Sequence, residues 1–304
     1  MKKAKLLILG LALLVLSSCS FPGLSSNDNE DTVAITGGVT TEAQILGGIA
    51  AEMVEHYTDL NATVINNLAT TTINHQAMMN GNASISAARY TGTDVTATLG
   101  LPAENDPDKA FEIVSDEFQK RYQQTWFPSY GFDNTYVFLV SRETAEQYNL
   151  TKVSDLKDVA GELSAGVDTA WITREGDGYE GFKEMYGFEF SSILPMQIGL
   201  VYDAVEAGRM DIVLGYSTDG RIASYDLVML EDDLHFFPPY DAAAVATDEV
   251  LNKNPDIREA LNKLAGTIDT EQMQKLNYRA DNDLVEPSVV AKEFLEEHNY
   301  FEGK

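Results

Sequence analysis

The sequence has one cysteine, Cys19, in 304 residues. No intramolecular disulfide can therefore close, so a disulfide scaffold is excluded. Histidine is almost as scarce, and His56, His75, His235 and His298 never fall three to five residues apart as paired zinc ligands do. No His/Cys metal site is expected. Against 48 Asp and Glu stand only 21 Lys and Arg, giving a net charge of -27 and an isoelectric point of about 4.3. That sign argues against nucleic acid as a partner, because binding polyphosphate requires basic groups that displace counterions. Catalytic signatures are missing too: there is no G-x-S-x-G, H-E-x-x-H or P-loop, and no serine or cysteine has a base beside it in the sequence. Glu231, Asp232 and Asp233 read as a hydrated turn, since nothing near them in sequence would desolvate either member of an acid pair. Residues 176–181 match G-x-G-x-x-G letter for letter, but Arg174, Glu175 and Asp177 do not suit a turn that a pyrophosphate approaches, so they read as a surface turn. No enzyme and no cofactor is expected.

Long apolar runs are confined to Leu6 to Leu16, 11 residues where a membrane span needs about 20. Lys2, Lys3 and Lys5 precede this run and Leu16-Ser17-Ser18-Cys19 follows it, which is the layout of an export signal. The last four residues resemble a bacterial lipoprotein cleavage box, in which the cysteine is lipidated. Residues 1–18 then read as a signal peptide and Cys19 as the lipidation site. Residues 19–30 read as a polar tether with too little apolar surface to fold. The expected location is the outer face of the cell membrane, held by the lipid.

The whole 304-residue chain is 44% hydrophobic, an ordinary globular composition, and its length suggests two domains of about 150 residues. From Thr32 short β-branched runs alternate with amphipathic helical runs, the pattern of α/β layers with largely parallel strands. Strands are expected at 33–36, 63–68 and 83–90. Helices are expected from a Thr41/Gln44 capping box, over 71–79 ahead of Asn80-Gly81, and from Asp106-Pro107 to about Gln123. Two segments repeat one theme. Gly81 leads through a strand to Tyr90 and then Thr93-Asp94, and Gly208 leads through a strand to Tyr216 and then Thr218-Asp219. Two similar lobes facing each other would bring both tyrosines to one cleft at the carboxyl ends of strands. Read on this pattern alone, two ordinary buried tyrosines remain an equal alternative.

Two connecting segments are unusually aromatic, 126–136 and 236–241, and must bury against a lobe or line a pocket. Tyr136 to Val140 and His235 to Tyr240 read as the hinge strands crossing between lobes. The lobes are then residues 31–139 with 239–304, and residues 140–238.

The stretches 88–94, 129–136, 176–179, 196–205, 216–221 and 236–241 together resemble, over essentially the full length, the lipid-anchored substrate-binding proteins of Gram-positive osmoprotectant ABC importers, which take up glycine betaine, carnitine and choline. The resemblance implies a type II periplasmic-binding-protein fold, two α/β lobes joined by two crossing strands and closing on a solute. It also implies an aromatic cage for a quaternary ammonium, formed here by Tyr90, Tyr136, Tyr216 and Tyr240. The physics agrees with that assignment, because a trimethylammonium has no N–H to donate and is attracted by the negative faces of aromatic rings. A ligand carboxylate would need donors, and Thr93 and the turn at Gly38 are the candidates. Relatives carry glutamine where this chain has Gly38, which favours choline, while Thr93 in place of an acid leaves carboxylate ligands open. The expected partners are a small quaternary-ammonium solute and an ABC permease. A choline-preferring receptor is the alternative within the class, and a surface enzyme acting on a choline compound is the alternative outside it.

Overall fold

The computed structural model describes residues 31–174 and 178–302. The signal and tether segments, Cys19, and part of the glycine-rich match lie outside the described residues. Within them the chain builds two five-stranded sheets of the same plan.

The first sheet has the order β2-β1-β3-β10-β4, from Thr32–Thr36 (β1), Asn61–Ile65 (β2), Ile85–Tyr90 (β3), Gln124–Trp126 (β4) and Ala242–Thr247 (β10). β1 runs parallel to β2 and β3, while β10 is antiparallel to β3 and β4. The second sheet has the order β7-β6-β8-β5-β9, from Tyr136–Ser141 (β5), Ser164–Asp168 (β6), Ser192–Met196 (β7), Ile212–Tyr216 (β8) and Leu227–Leu230 (β9). Here β6 is parallel to β7 and β8, and β5 is antiparallel to β8 and β9. In each sheet the antiparallel strand is the first one laid down after the chain crosses from the other sheet. Two crossings of this kind, with sheet orders of this form, make a type II periplasmic-binding-protein fold.

Local sequence explains most elements. Helix Thr41–Tyr57 turns Ile45, Leu46, Ile49, Met53 and Val54 into the first core, where it packs on helix Pro287–Glu297. Gly48 permits that approach, since a Cβ there would lie 2.9 Å from the Ala291 Cβ. The cap of this helix is Thr40, whose backbone is extended and whose side chain accepts from the Ala43 N–H, and not the expected Thr41. Thr41 instead donates to Asp281 Oδ1 at 2.5 Å. Helix Thr71–Met79 and helix Pro107–Tyr122, capped by Asp106, stand where the sequence placed them. The second strand begins and ends earlier than expected, because its register pairs Asn61 with Thr32 and the chain turns at Asn67 with φ 66°.

The crossing is built differently from the expectation. Tyr136–Ser141 is an interior strand of the second sheet, already paired at Tyr136 with Tyr216, and residues 235–240 form no strand. The two crossing segments meet instead at an antiparallel bridge between Asp133 and Asp241, with the Tyr240 N–H donating to Asp133 Oδ1 and Thr135 Oγ1 to Pro238 O. A strand wedged between two others buries both faces, as Phe138, Leu139 and Val140 do, so its sequence resembles any apolar connecting strand. The aromatic crossing residues divide between the cores: Phe127, Tyr130 and Phe132 enter the first, Phe236 and Phe237 the second.

Candidate functional site

β3 and β8 each end in a tyrosine, Tyr90 and Tyr216, and each follows a left-handed glycine, Gly81 at φ 72° and Gly208 at φ 63°. β5 begins at Tyr136, directly opposite Tyr216 in the ladder, so the two ring centroids lie 5.1 Å apart at an interplanar angle of 39°. Tyr240 comes from the returning crossing, where its N–H donates to Asp133 Oδ1 at 2.7 Å. Its ring reaches the first lobe over Gly92, where a Cβ would stand 3.3 Å from the Tyr240 ring and only 2.5 Å from the Pro239 carbonyl oxygen. The Gly92 and Thr91 N–H groups hold this segment by donating to Pro239 O and Asp241 O at 3.0 and 3.2 Å.

These four tyrosines line one cavity of about 430 Å³ between the sheets. Thr93 lines it too, with Thr40, Thr96, Asn134 and Arg174. Tyr136 is 5% exposed and Tyr216 36%, with Tyr90 and Tyr240 half-buried. Gly38 is not in this wall: it is buried against the first helix, its carbonyl accepts from the Asn67 N–H, and a Cβ there would lie 2.7 Å from the Ala43 Cβ. A side chain such as glutamine could not be placed there without moving Ala43.

Three side chains that sequence reasoning passed over shape the cavity. Arg174 donates to the Tyr136 hydroxyl at 3.2 Å, with its guanidinium carbon 5.1 Å from that ring's centre. Its one sequence signal was its place two residues before the glycine-rich match. Gly178 in that match packs on the Trp171 and Arg174 carbonyls rather than forming a phosphate turn. Asn134 and Glu42 form the third side of the site. Glu42, 4% exposed, accepts from Tyr90 Oη at 2.6 Å, from Asn134 Nδ2 at 2.8 Å and from Asn277 Nδ2 at 3.3 Å. Behind Tyr90 and Thr93, Arg89 and Asp94 form a fully buried ion pair, with Nε to Oδ2 at 2.8 Å, which locks this turn.

Electrostatics favour neutral phenols. Burial first, then the Glu42 charge, push the Tyr90 hydroxyl well above its ordinary pKa. Burial and then Tyr216 do the same for Tyr136. Burial raises Asp133, at the crossing, to about 7 against a lowering hydrogen bond from Tyr240. Arg174 is the one charged group among the described residues that line the cavity. Among the described residues no group of three or more His, Cys, Asp or Glu could hold a metal ion, and no helix is long and apolar enough to cross a membrane.

The sequence matches, over residues 31–297, the family described as the substrate binding domain of ABC-type glycine betaine transport systems. The chain belongs to this family. Within the family's wider circle it is 55% identical over 291 residues to the carnitine transport binding protein OpuCC of Listeria monocytogenes, covering 96% of this chain and 94% of the relative. It is 33% identical over 258 residues to the ergothioneine transport permease/binding protein EgtU of Helicobacter pylori, covering 84% of this chain and 46% of that longer protein. Among solved structures, a glycine betaine/carnitine/choline ABC transporter protein superposes with a TM-score of 0.87 at 50% identity, covering 89% of this chain and all of the other. As a member of this family the chain is the substrate-binding part of an ABC transport system, and the relatives named here are transport binding proteins.

Proposed function

We propose that this chain captures a trimethylammonium osmolyte between its two lobes and delivers it to an ABC permease without chemically changing it. The observation that carries the reading is the convergence of Tyr90, Tyr136, Tyr216 and Tyr240, from both sheets and the returning crossing, on one cavity that also holds a guanidinium. A methylated cation offers no hydrogen bond, so stacked ring faces are what distinguishes it from water, each desolvated contact contributing on the order of 1–2 kcal/mol. Arg174 then suits the carboxylate of glycine betaine or carnitine, with Thr93 as an added donor, while Gly38 plays no part. Carnitine ranks first, because the cavity pairs aromatic walls with a cation-bearing wall and the Listeria relative is named for carnitine. The lobes are taken as 31–133 with 241–304, and 134–240, so that the hinge falls at the Asp133–Asp241 bridge and Tyr136–Ser141 stays with the second sheet. The lipid on Cys19 would hold the protein at the outer face of the membrane.

Calorimetric titration with carnitine, glycine betaine and choline tests the reading. Tyr216→Ala removes the most exposed of the four rings and should weaken the preferred ligand about five- to thirtyfold. No heat with any of the three, or full affinity in the variant, would refute the cage. Recovery of a chemically altered ligand after incubation would overturn the transport-only reading in favour of an enzyme.

A further inference from the structure

The cavity wall poses an electrostatic problem for a cation. Among the described residues that line it, the one formal charge is Arg174, which is positive. Near the Tyr136 hydroxyl that charge is joined by Asp168, whose Oδ2 accepts from the same oxygen at 3.2 Å. On the opposite wall a negative charge sits one hydroxyl behind Tyr90. Glu42 is 4% exposed, and its three side-chain partners, Tyr90, Asn134 and Asn277, are all neutral donors. It occupies the first turn of helix Thr41–Tyr57, where the free amide ends favour a carboxylate.

We propose that Glu42 makes this cavity select a cation, acting through Tyr90 as a positioning residue that touches no ligand itself. This rests on the trimethylammonium reading above. A phenol that donates to a carboxylate carries more negative charge on its ring face, and the attraction of a cation to that face is electrostatic. Glu42 holds its own position through Asn277, which donates from the same Nδ2 to Thr218 O at 2.9 Å, while Gln274 donates to Ser217 O at 2.7 Å. The carboxylate is thus tied to both the Tyr90 wall and the turn that follows Tyr216.

The test is Glu42→Gln, which keeps the shape and one acceptor oxygen but removes the charge. Whichever of carnitine, glycine betaine and choline binds the unmodified protein is titrated beside its tert-butyl carbon analogue, in which carbon replaces the ammonium nitrogen. The variant should bind the cation on the order of tenfold more weakly and the analogue no more weakly than before. A role limited to holding Tyr90 in place would weaken both alike, and that result overturns the proposal, as does a change of less than about twofold for the cation. Tyr90→Phe, alone and combined with Glu42→Gln, supplies a second reading: action through the hydroxyl requires the two losses to be non-additive. Additive losses overturn the proposal even where the analogue binds too weakly to measure. Absence of binding in the unmodified protein refutes the transport reading itself.

Discussion

Replacing Arg174 by alanine should separate the ligands by whether they carry a carboxylate. The guanidinium stands in the cavity beside Tyr136, 3.2 Å from its hydroxyl and 5.1 Å from its ring centre, which leaves it reach to a ligand held among the rings. A charge-assisted hydrogen bond contributes about 1.5–3 kcal/mol, so carnitine and glycine betaine should lose roughly ten- to 150-fold in affinity. Choline has no carboxylate, and for it the same deletion removes a like charge from the cavity. Its affinity should hold or rise by up to about threefold. Arg174→Lys keeps the charge but neither the planar fork nor the stacking on Tyr136, and should fall between. Calorimetry at low and moderate ionic strength reads the split, which should narrow as salt screens the pair. Equal losses for choline and carnitine would show that Arg174 acts only by propping Tyr136, and would refute a carboxylate-binding role.

The crossing gives a pH prediction. Because Asp133 is raised to about 7 in the folded protein from 3.8, the native state keeps a proton that the unfolded chain releases, so this residue's contribution to stability is whole below about pH 4 and is lost as pH rises through about 7. Glu42 and Asp241 face it and reinforce the rise. Asp133→Asn retains an acceptor for the Tyr240 N–H and should flatten that decline by on the order of 2 kcal/mol, allowing for partial exposure. Denaturant unfolding across that pH range measures it, and an unchanged slope would show that Asp133 does not titrate there. Gly220 gives the third prediction: a Cβ would meet the Tyr278 backbone N and Cα at 2.6 Å, so Gly220→Ala should push the turn after Tyr216 off helix Thr270–Asp281. With the Gln274–Ser217 and Asn277–Thr218 hydrogen bonds strained, ligand affinity should fall about five- to a hundredfold. Small-angle scattering should show a more extended particle, and unaltered binding with unaltered scattering would refute the role given to this contact.

How much of this was readable in the residues depends on how local each cause is. Helix Pro107–Tyr122 was legible because Asp106, Pro107 and an apolar stripe all act within a few residues. The strand ends carrying Tyr90 and Tyr216 were legible because the same left-handed glycine, strand and tyrosine recur twice. The Thr40/Thr41 cap was misplaced by one residue because adjacent threonines differ only in backbone conformation, which the sequence does not print. The hinge was misplaced because β5 gains its interior position from β8 and β9, both far along the chain. Glu42 and Arg174 were invisible for the same reason in stronger form. An acid in a helix's first turn and a basic residue beside a glycine-rich turn are ordinary surface features, and only tertiary contacts turn them into a buried charge behind one ring and a guanidinium against another. The aromatic half of the site therefore lies in residue identity, whereas its charged half lies in distances that folding alone creates. Ligand choice among carnitine, glycine betaine and choline depends on that second half, which is why it must be sought by perturbing Glu42 and Arg174 rather than the tyrosines.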